Sequence, residues 1–271
     1  MVPSIELRDL SYSYFAASRP ALRSCSFSVR PGSCCAVVGP SGAGKTTLLQ
    51  VVSGIAGSHI TTSSASGSLL LGDRPFEPIP QEVLFPLVGF CMADSLVQLS
   101  GIKNTVADEV GFTLRNLGIK EPEYSNRLRA IMHTLALEHL AERHPGTLSG
   151  GELRRLTLAS VMVGAPSILL LDEPVSSLDS TAESILASVL QSSKKNMTVI
   201  IADHQIEFAL RVADQIVVLD GGAVVFDGSK EDFLGSLVNF EHLLPTHRWQ
   251  ELMAAEPSEP LRPAIRRMIR P

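Results

Sequence analysis

The sequence has few cysteines and no excess of basic residues. The four cysteines are Cys25, Cys34, Cys35 and Cys91. None has C-x-x-C spacing, and Cys34 and Cys35 are adjacent and therefore poorly placed to pair with each other. We expect buried thiols in a reducing compartment, with neither a disulfide framework nor a cysteine zinc site. The net charge of −5 likewise argues against a globally basic nucleic-acid-binding protein.

Long hydrophobic runs that could cross a membrane are also lacking. Residues 46–72 contain no charged residue, but their glycines and a Ser/Thr cluster make them too polar for a bilayer span of roughly 20 residues. Residues 156–171 are more apolar, but a glycine and a proline divide them. Charged residues interrupt the first ten positions, so we expect no signal peptide and a cytoplasmic protein.

The pattern of apolar residues predicts an α/β core. Residues 167–174, 197–204 and 214–222 contain short apolar runs separated by helical segments, which is typical of a parallel sheet covered by helices. Earlier in the chain, residues 5–15 alternate with period two, and residues 84–92 indicate an interior strand.

A helical insertion is predicted between about residues 94 and 166. Within it, Ile131, Leu135, Leu137 and Leu140 have the spacing of an apolar helix face. After the core, residues 237–271 are rich in proline and carry a basic cluster near their end. We expect this C-terminal extension to be solvated and partly extended.

A phosphate-binding loop is predicted by the stretch GPSGAGKTT, which fits G-x-x-x-x-G-K-[ST] between a strand and a helix. Its residues are Gly39, Pro40, Ser41, Gly42, Ala43, Gly44, Lys45, Thr46 and Thr47. In such a loop, backbone N–H groups surround phosphate oxygens, the lysine spans the β- and γ-phosphates, and the Thr46 hydroxyl can hold Mg²⁺. A nucleoside triphosphate is predicted to bind here.

Two carboxylates and a histidine complete a candidate catalytic set. The apolar run ILLLDEP ends in Asp172, which can orient Mg²⁺, and in Glu173, which can polarise the attacking water. His204 ends another predicted strand, and the carboxyl ends of parallel strands meet at one sheet edge. We therefore predict that His204 lies near Glu173 and helps to hold it in line with the water.

The order of these motifs resembles that of the ATP-binding subunits of ABC transporters: phosphate loop, LSGGE, LLLDEP, SSLD, then His204. The resemblance covers about residues 5–228. It implies ATP and Mg²⁺ as ligands and a P-loop NTPase (RecA-like) fold, with a mostly parallel sheet, an N-terminal antiparallel β-subdomain and an inserted α-helical subdomain. It also implies an ATPase domain over residues 1–236, with the helical subdomain at about 94–166.

The resemblance assigns a role to the stretch LSGGELRRLTLAS. In that family two subunits face head to tail, and the signature loop of one closes on the ATP held by the other. Ser149, Gly150 and Gly151 would therefore contact the γ-phosphate bound by a second subunit. Asp179 matches the loop that crosses the dimer interface, although a plain helix cap is the alternative.

Two further family positions each have two candidate interpretations in this sequence. Tyr14 matches the aromatic that stacks on adenine, with Tyr12 as a second candidate. The family places a glutamine after the strand LVGFCM, where it contacts Mg²⁺ and senses the membrane subunit. Here Ala93 takes that position, so either Gln98 fills the role through a shifted loop or the magnesium contact is absent.

The resemblance implies a peripheral protein at the cytoplasmic face of the cell membrane. Its implied partners are transmembrane transporter subunits and a second ATP-binding subunit, in a homodimer or a heterodimer, without nucleic acid. Residues 105–119 resemble the energy-coupling-factor importers of vitamins and transition metals. The rival functions are a soluble ABC ATPase acting on DNA or ribosomes and a nucleotide-sensing regulator. Against the first rival, no long coiled coil separates the phosphate loop from the signature, and zinc-site cysteines are absent.

Overall fold

The computed structural model describes residues 2–58, 64–72, 74–75, 81–236 and 240 of the 271-residue chain. Apart from Phe240, the predicted C-terminal extension lies outside these residues, and its basic cluster with it. The described strands, in chain order, are β1 (Ile5–Ser13), β2 (Leu22–Val29), β3 (Cys34–Val38), β4 (Ser64–Leu71), β5 (Arg74–Pro75), β6 (Val88–Cys91), β7 (Ile168–Asp172), β8 (Thr198–Asp203), β9 (Gln215–Asp220) and β10 (Ala223–Ser229).

The described α-helices are α1 (Lys45–Val52), α2 (Ile55–Ser58), α3 (Gln81–Leu87), α4 (Ser95–Gln98), α5 (Val106–Asn116), α6 (Glu123–Thr134), α7 (Gly150–Met162), α8 (Ser180–Ser193), α9 (Ile206–Val212) and α10 (Lys230–Ser236). Short 3₁₀ turns lie at Glu138–Leu140 and Pro145–Thr147. No helix in the described ranges is long and apolar enough to cross a membrane.

The strands form two sheets. The larger has the order β10-β9-β3-β8-β7-β6, and its pairs are parallel except for β9 with β10. The smaller has the order β2-β1-β4-β5 and is antiparallel. Every residue of β3, β7 and β8 is buried, which explains why these strands are continuous apolar runs and not alternating ones.

Two hydrophobic clusters lie on opposite faces of the larger sheet. Successive residues of a strand face opposite sides, so Leu169 and Leu171 join one cluster while Ile168 and Leu170 join the other. The adjacent cysteines at the start of β3 are divided in the same way. All four cysteines are free and buried, as expected, and burial raises the pKa of the Cys34 thiol to about 12.

The predicted interior strand over residues 84–92 is wrong in length and in position. Residues 81–87 form α3, which contains Pro86, and the strand begins only at Val88. Proline lacks the N–H that a strand ladder needs, so the apolar run cannot continue the sheet through it. The resulting strand, β6, is short and lies at the edge of the larger sheet.

The segment between β6 and β7 is helical, as the apolar spacing predicts, with α5 packed against α7. The predicted apolar face near residue 135 is not one continuous helix, because α6 ends at Thr134 and Ala136 has a positive φ of 51°. Leu135, Leu137 and Leu140 are nevertheless buried, since the chain continues through a 3₁₀ turn on the same side.

Candidate active site

The phosphate loop joins the carboxyl end of β3 to the first residue of α1. All three of its glycines have positive φ angles: 152° at Gly39, 78° at Gly42 and 102° at Gly44. A Cβ atom at Gly39 would lie 2.1 Å from the carbonyl oxygen of Leu219, and one at Gly44 would lie 2.6 Å from that of Ala21. Larger residues would therefore displace the loop. It leads directly into a helix N-terminus, which favours a bound phosphate.

Lys45 is held against this loop. Its Nζ donates to the carbonyl oxygens of Gly39 at 2.8 Å and Pro40 at 3.0 Å. Burial lowers the pKa of Lys45, and the carboxylates of Glu173 and Asp172 oppose that shift. The ammonium group is thus desolvated and placed over the loop, where it can bind phosphate oxygens in place of the two carbonyls.

Asp172 and Thr46 place two hydrogen-bonded side-chain oxygens beside the phosphate loop. The Thr46 hydroxyl donates to Asp172 Oδ2 at 2.8 Å, and Asp172 is only 2% exposed. Burial raises the pKa of the Asp172 carboxyl, although the hydrogen bond from Thr46 opposes the shift. A carboxylate and a hydroxyl are the hard oxygen ligands that Mg²⁺ prefers. The donor set beside the phosphate loop therefore fits the predicted Mg²⁺.

Glu173 and His204 meet at the same edge of the larger sheet. His204 Nδ1 lies 3.3 Å from Glu173 Oε1, and both side chains are partly exposed. Glu173 has a positive φ of 45°, and its N–H donates to the carbonyl oxygen of Ala202 at 2.8 Å. Positive φ is costly for a residue with a side chain, and such strain is often retained where a side chain must be aimed. The structure thus brings together the residues predicted to be catalytic.

Asp203 is a further acid at this edge that the sequence interpretation missed. It is 1% exposed; its Oδ1 accepts the N–H of Gln205 at 2.8 Å, and its Oδ2 has no hydrogen-bond partner among the described residues. Burial raises the pKa of Asp203 to about 6 from 3.8, with smaller opposing effects from nearby donors. An ionised Asp203 therefore carries a desolvation cost in the folded state.

We expect Asp203→Asn to stabilise the nucleotide-free protein at pH 8, by an amount that shrinks toward pH 4. Because the folded-state pKa is raised, the folded protein binds a proton that the unfolded chain lacks between about pH 4 and 6. Stability from this group is therefore lost as pH rises through that window and stays lost above it. We expect a difference in Tm on the order of 2–6 °C at pH 8.

Thermal unfolding of both proteins from pH 4 to 8 measures this difference. Asp220→Asn, at the exposed end of β9, is the matched control. A difference for Asp203→Asn that does not change with pH would show that the Asp203 carboxylate carries no desolvation cost.

The two tyrosine candidates for adenine stacking differ in exposure. Tyr12 is 2% exposed, and its hydroxyl donates to the carbonyl oxygen of Ala56. Tyr14 is 36% exposed, and its hydroxyl bonds the side chains of Thr47 and Gln50 on α1. A base can reach only an exposed ring face, so the geometry favours Tyr14, whose stacking role stays a prediction.

The signature residues lie at the start of α7. The Ser149 side chain caps this helix, and Glu152 accepts hydrogen bonds from the N–H and the hydroxyl of Ser149 at 2.7 and 2.8 Å. Ser149 and Gly150 are exposed. No hydrogen bond or ion pair in the described ranges connects these residues to the phosphate loop of the same chain.

Asp179 caps α8, accepting the N–H of Ala182 at 2.8 Å. The helix-cap interpretation is therefore correct as geometry. A role at a dimer interface stays a prediction.

Gln98 lies on α4 and is bonded to the backbone near the end of β6. The N–H of Met92 donates to Gln98 Oε1 at 2.8 Å, and Gln98 Nε2 donates to the carbonyl oxygen of Phe90 at 2.6 Å. The amide thus pairs with backbone groups on the open edge of β6, as an added strand would. To bind Mg²⁺, Gln98 would have to release both bonds, and its ligand role stays a prediction. Ala93 has no side-chain oxygen that could take that role.

Arg154 is the second residue that the sequence interpretation missed. It lies one turn into α7 and is 1% exposed. Among the described residues its partners are four backbone carbonyls, which belong to Met92, Ala93, Asp172 and Pro174. The sequence signal was weak, because two adjacent arginines near a helix start are usually solvated.

Comparisons with known proteins agree with this geometry. A family model described as ABC transporter matches residues 22–176. A putative ABC transporter ATP-binding protein of Pyrococcus abyssi is 33% identical over 241 residues, covering 88% of this chain and 85% of that protein. The energy-coupling factor transporter ATP-binding protein EcfA of Methanothermobacter thermautotrophicus is 34% identical over 228 residues, which cover 83% of this chain and 70% of that protein.

A solved structure is also similar. It is cbiO1 from Clostridium perfringens, part of the ABC transporter complex cbiONQ, and it matches with a TM-score of 0.75 at 26% identity. The match covers 92% of this chain and 98% of that one.

Proposed function

This chain belongs to the ABC transporter family as an ATP-hydrolysing subunit, and from that premise we propose that it drives the uptake of a vitamin or a transition-metal ion in an importer of the energy-coupling-factor type. Membership confirms the family and the P-loop NTPase fold class predicted from the motifs. The importer type is supported by similarity to EcfA and to cbiO1 and by the resemblance of residues 105–119.

The catalytic proposal rests on one observation, the convergence of the phosphate loop, two carboxylates and a histidine at one sheet edge. Lys45 binds the phosphates, and Thr46 and Asp172 hold Mg²⁺. When bound, the ion neutralises charge on the phosphate oxygens during transfer. Glu173 accepts the proton of the attacking water, and His204 holds Glu173 in place.

We propose that the signature acts on ATP held by a second subunit. The exposed Ser149 and Gly150 and the lack of described bonds to the phosphate loop of the same chain support this arrangement. We also propose that residues 1–236 form the ATPase domain, with a helical subdomain at about 94–166, and that residues 237–271 form an extension.

The proposed membrane partner has a candidate docking surface. A groove of about 480 Å³ lies between the larger sheet and the helical segment, and its lining includes Phe85, Met92, Gln98 and Phe112. Phe85 is 73% exposed, and Leu96 on α4 is 67% exposed. Exposed apolar side chains around a groove are typical of a surface that receives an apolar helix face. We propose that the groove receives a cytoplasmic helix of the membrane subunit.

Placing charge in the groove at Phe85, or on α4 beside it at Leu96, should detach the partner. We expect Phe85→Glu and Leu96→Glu each to reduce the amount of co-purifying multi-span membrane protein by about tenfold or more, because a carboxylate would be desolvated in the interface. The measurement is mass spectrometry of affinity-purified complexes from detergent-solubilised membranes of the source organism. Val225→Glu, at an exposed apolar position on β10, is the matched control and should retain the partner.

The substrate class is tested by reconstitution of the identified complex in liposomes. Labelled vitamins and transition-metal ions should enter only with ATP. If no membrane protein co-purifies, or if the reconstituted complex transports neither class, the soluble ATPase or nucleotide sensor becomes the better proposal.

A further inference from the structure

Arg154 joins three segments of the chain through backbone carbonyls. Its Nη1 donates to the carbonyl oxygens of Met92 and, at 3.4 Å, of Ala93, which follow β6. Its Nη2 donates to the carbonyl oxygen of Asp172 at 2.5 Å, and its Nε donates to the carbonyl oxygen of Pro174 at 3.2 Å. One side chain on the signature helix α7 therefore holds both the end of β6 and the end of β7.

The chemistry of arginine explains why this contact needs that residue. Burying a charge is costly unless it is fully hydrogen-bonded, and Arg154 makes no ion pair with the described residues. The planar guanidinium carries five N–H donors in a fixed fork, so it can bond several carbonyls lying in different directions. A lysine ammonium is a point charge and cannot reproduce this spread of donors.

The two carbonyls at the end of β7 belong to the residues on either side of Glu173. Glu173 has the positive φ of 45°, and its own N–H is bonded to Ala202. Arg154 therefore holds the peptide group that precedes Glu173 and the one that follows Pro174. Between them Glu173 keeps a conformation that a residue with a side chain does not adopt readily.

The bond from Arg154 to Met92 connects Arg154 to the docking groove. The carbonyl of Met92 accepts from Arg154, while its N–H donates to Gln98, and both Met92 and Gln98 line the groove. Hydrogen bonds thus connect Gln98 to the backbone of Met92, Met92 to Arg154, and Arg154 to the carbonyls of the residues on either side of Glu173. Ala93 offers no side-chain amide for a direct link.

We propose that Arg154 is a positioning residue that couples the state of the docking groove to the placement of Glu173, through Met92 and Gln98. The proposal rests on the proposed function, because the groove is taken as the site of the membrane partner. Docking displaces Gln98, which moves the backbone of Met92. Arg154 transmits that movement to Glu173. The test measures this coupling directly.

The first arm uses Arg154→Lys and Arg154→Gln in the isolated chain. We expect kcat for ATP hydrolysis to fall by about tenfold or more while KM and nucleotide binding change by about twofold or less, because the phosphate loop is untouched. Arg127→Lys on α6, a partly exposed arginine paired with Glu123, is the matched control and should keep the wild-type kcat. A wild-type kcat in both Arg154 variants, or an equal loss of nucleotide affinity, would overturn the positioning role.

The second arm is a double-mutant cycle with Gln98→Ala. If the two residues act in one path, the double variant should have about the kcat of the Arg154 variant alone. Multiplicative losses would mean independent roles and would overturn the link. The cycle can be run with Arg154→Gln, which keeps two N–H donors, if Arg154→Lys does not fold. Gln98→Ala removes only a partly exposed amide.

The third arm adds the membrane partner. Arg154→Lys should abolish the stimulation of hydrolysis that docking produces in the wild type, and retained stimulation would contradict the coupling. The first two arms need no membrane subunit. Absence of a membrane subunit would therefore count against the proposed function, while the kcat measurements would still decide whether Arg154 positions Glu173.

Discussion

Glu173→Gln should lower the rate of ATP hydrolysis by a factor on the order of 10² or more while leaving ATP bound, as expected when a positioned general base is lost. Glutamine has nearly the size and shape of glutamate, so the backbone bond to Ala202 and the position next to His204 can persist. An amide cannot accept the proton of the attacking water. The measurement is single-turnover hydrolysis of labelled ATP together with equilibrium binding of a fluorescent nucleotide.

Two controls separate this effect from a loss of binding or of folding. Lys45→Ala should weaken nucleotide binding itself, because it removes the ammonium held over the phosphate loop. Glu207→Gln, in the first turn of α9, makes the same chemical change away from the base and should hydrolyse ATP normally. If Glu173→Gln keeps the normal rate, another group must accept the proton.

The parts of the site that could be predicted from the sequence are those encoded by local spacing. The phosphate loop needs glycines at fixed offsets before Lys45, and the tight contacts at Gly39 and Gly44 give the reason. The meeting of Glu173 with His204 was predictable because parallel strands present their carboxyl ends at one edge. That rule requires only the order of the apolar runs.

The parts that could not be predicted depend on contacts between distant segments. Arg154 and Asp203 are charged residues whose side chains local patterns would place in solvent, yet each is about 1% exposed. Their burial follows from the packing of α7 against the ends of β6 and β7, and from the position of β8 inside the sheet. The edge position of β6 could not be inferred from its apolar composition alone, because interior strands and edge strands can both be apolar.

Mixing two inactive variants, Lys45→Ala and Ser149→Arg, should restore ATP-dependent dimerisation. If each ATP site combines the phosphate loop of one chain with the signature of the other, a homodimer of either variant has two damaged sites. In a mixed dimer both lesions fall in one site, and the other site has an intact Lys45 and an intact Ser149. Arginine at position 149 blocks the exposed signature face, where Ser149 now caps α7.

The readout is the content of dimer, measured by light scattering across mixing ratios, with both lesions placed in a Glu173→Gln background so that bound ATP persists. When the same two lesions are placed in chains that keep Glu173, the mixture should also recover partial ATP hydrolysis if one intact site is enough for turnover. Thermal unfolding of each variant checks the loss of the Ser149 cap, which by itself costs on the order of 1 kcal/mol.

A mixture of Lys45→Ala with Thr46→Ala is the matched control for the trans arrangement, because both lesions lie in the phosphate loop and every site in every dimer then carries one of them. This mixture should stay monomeric at all ratios, whereas the Lys45→Ala and Ser149→Arg mixture should peak near equal amounts. A signature acting within its own chain could not be repaired by any mixture, so a flat response, with a wild-type chain that does dimerise, would overturn the trans arrangement. If the wild-type chain alone does not dimerise with ATP, the second subunit is a different ATPase, and the same two lesions should then be divided between the two chains of that heterodimer.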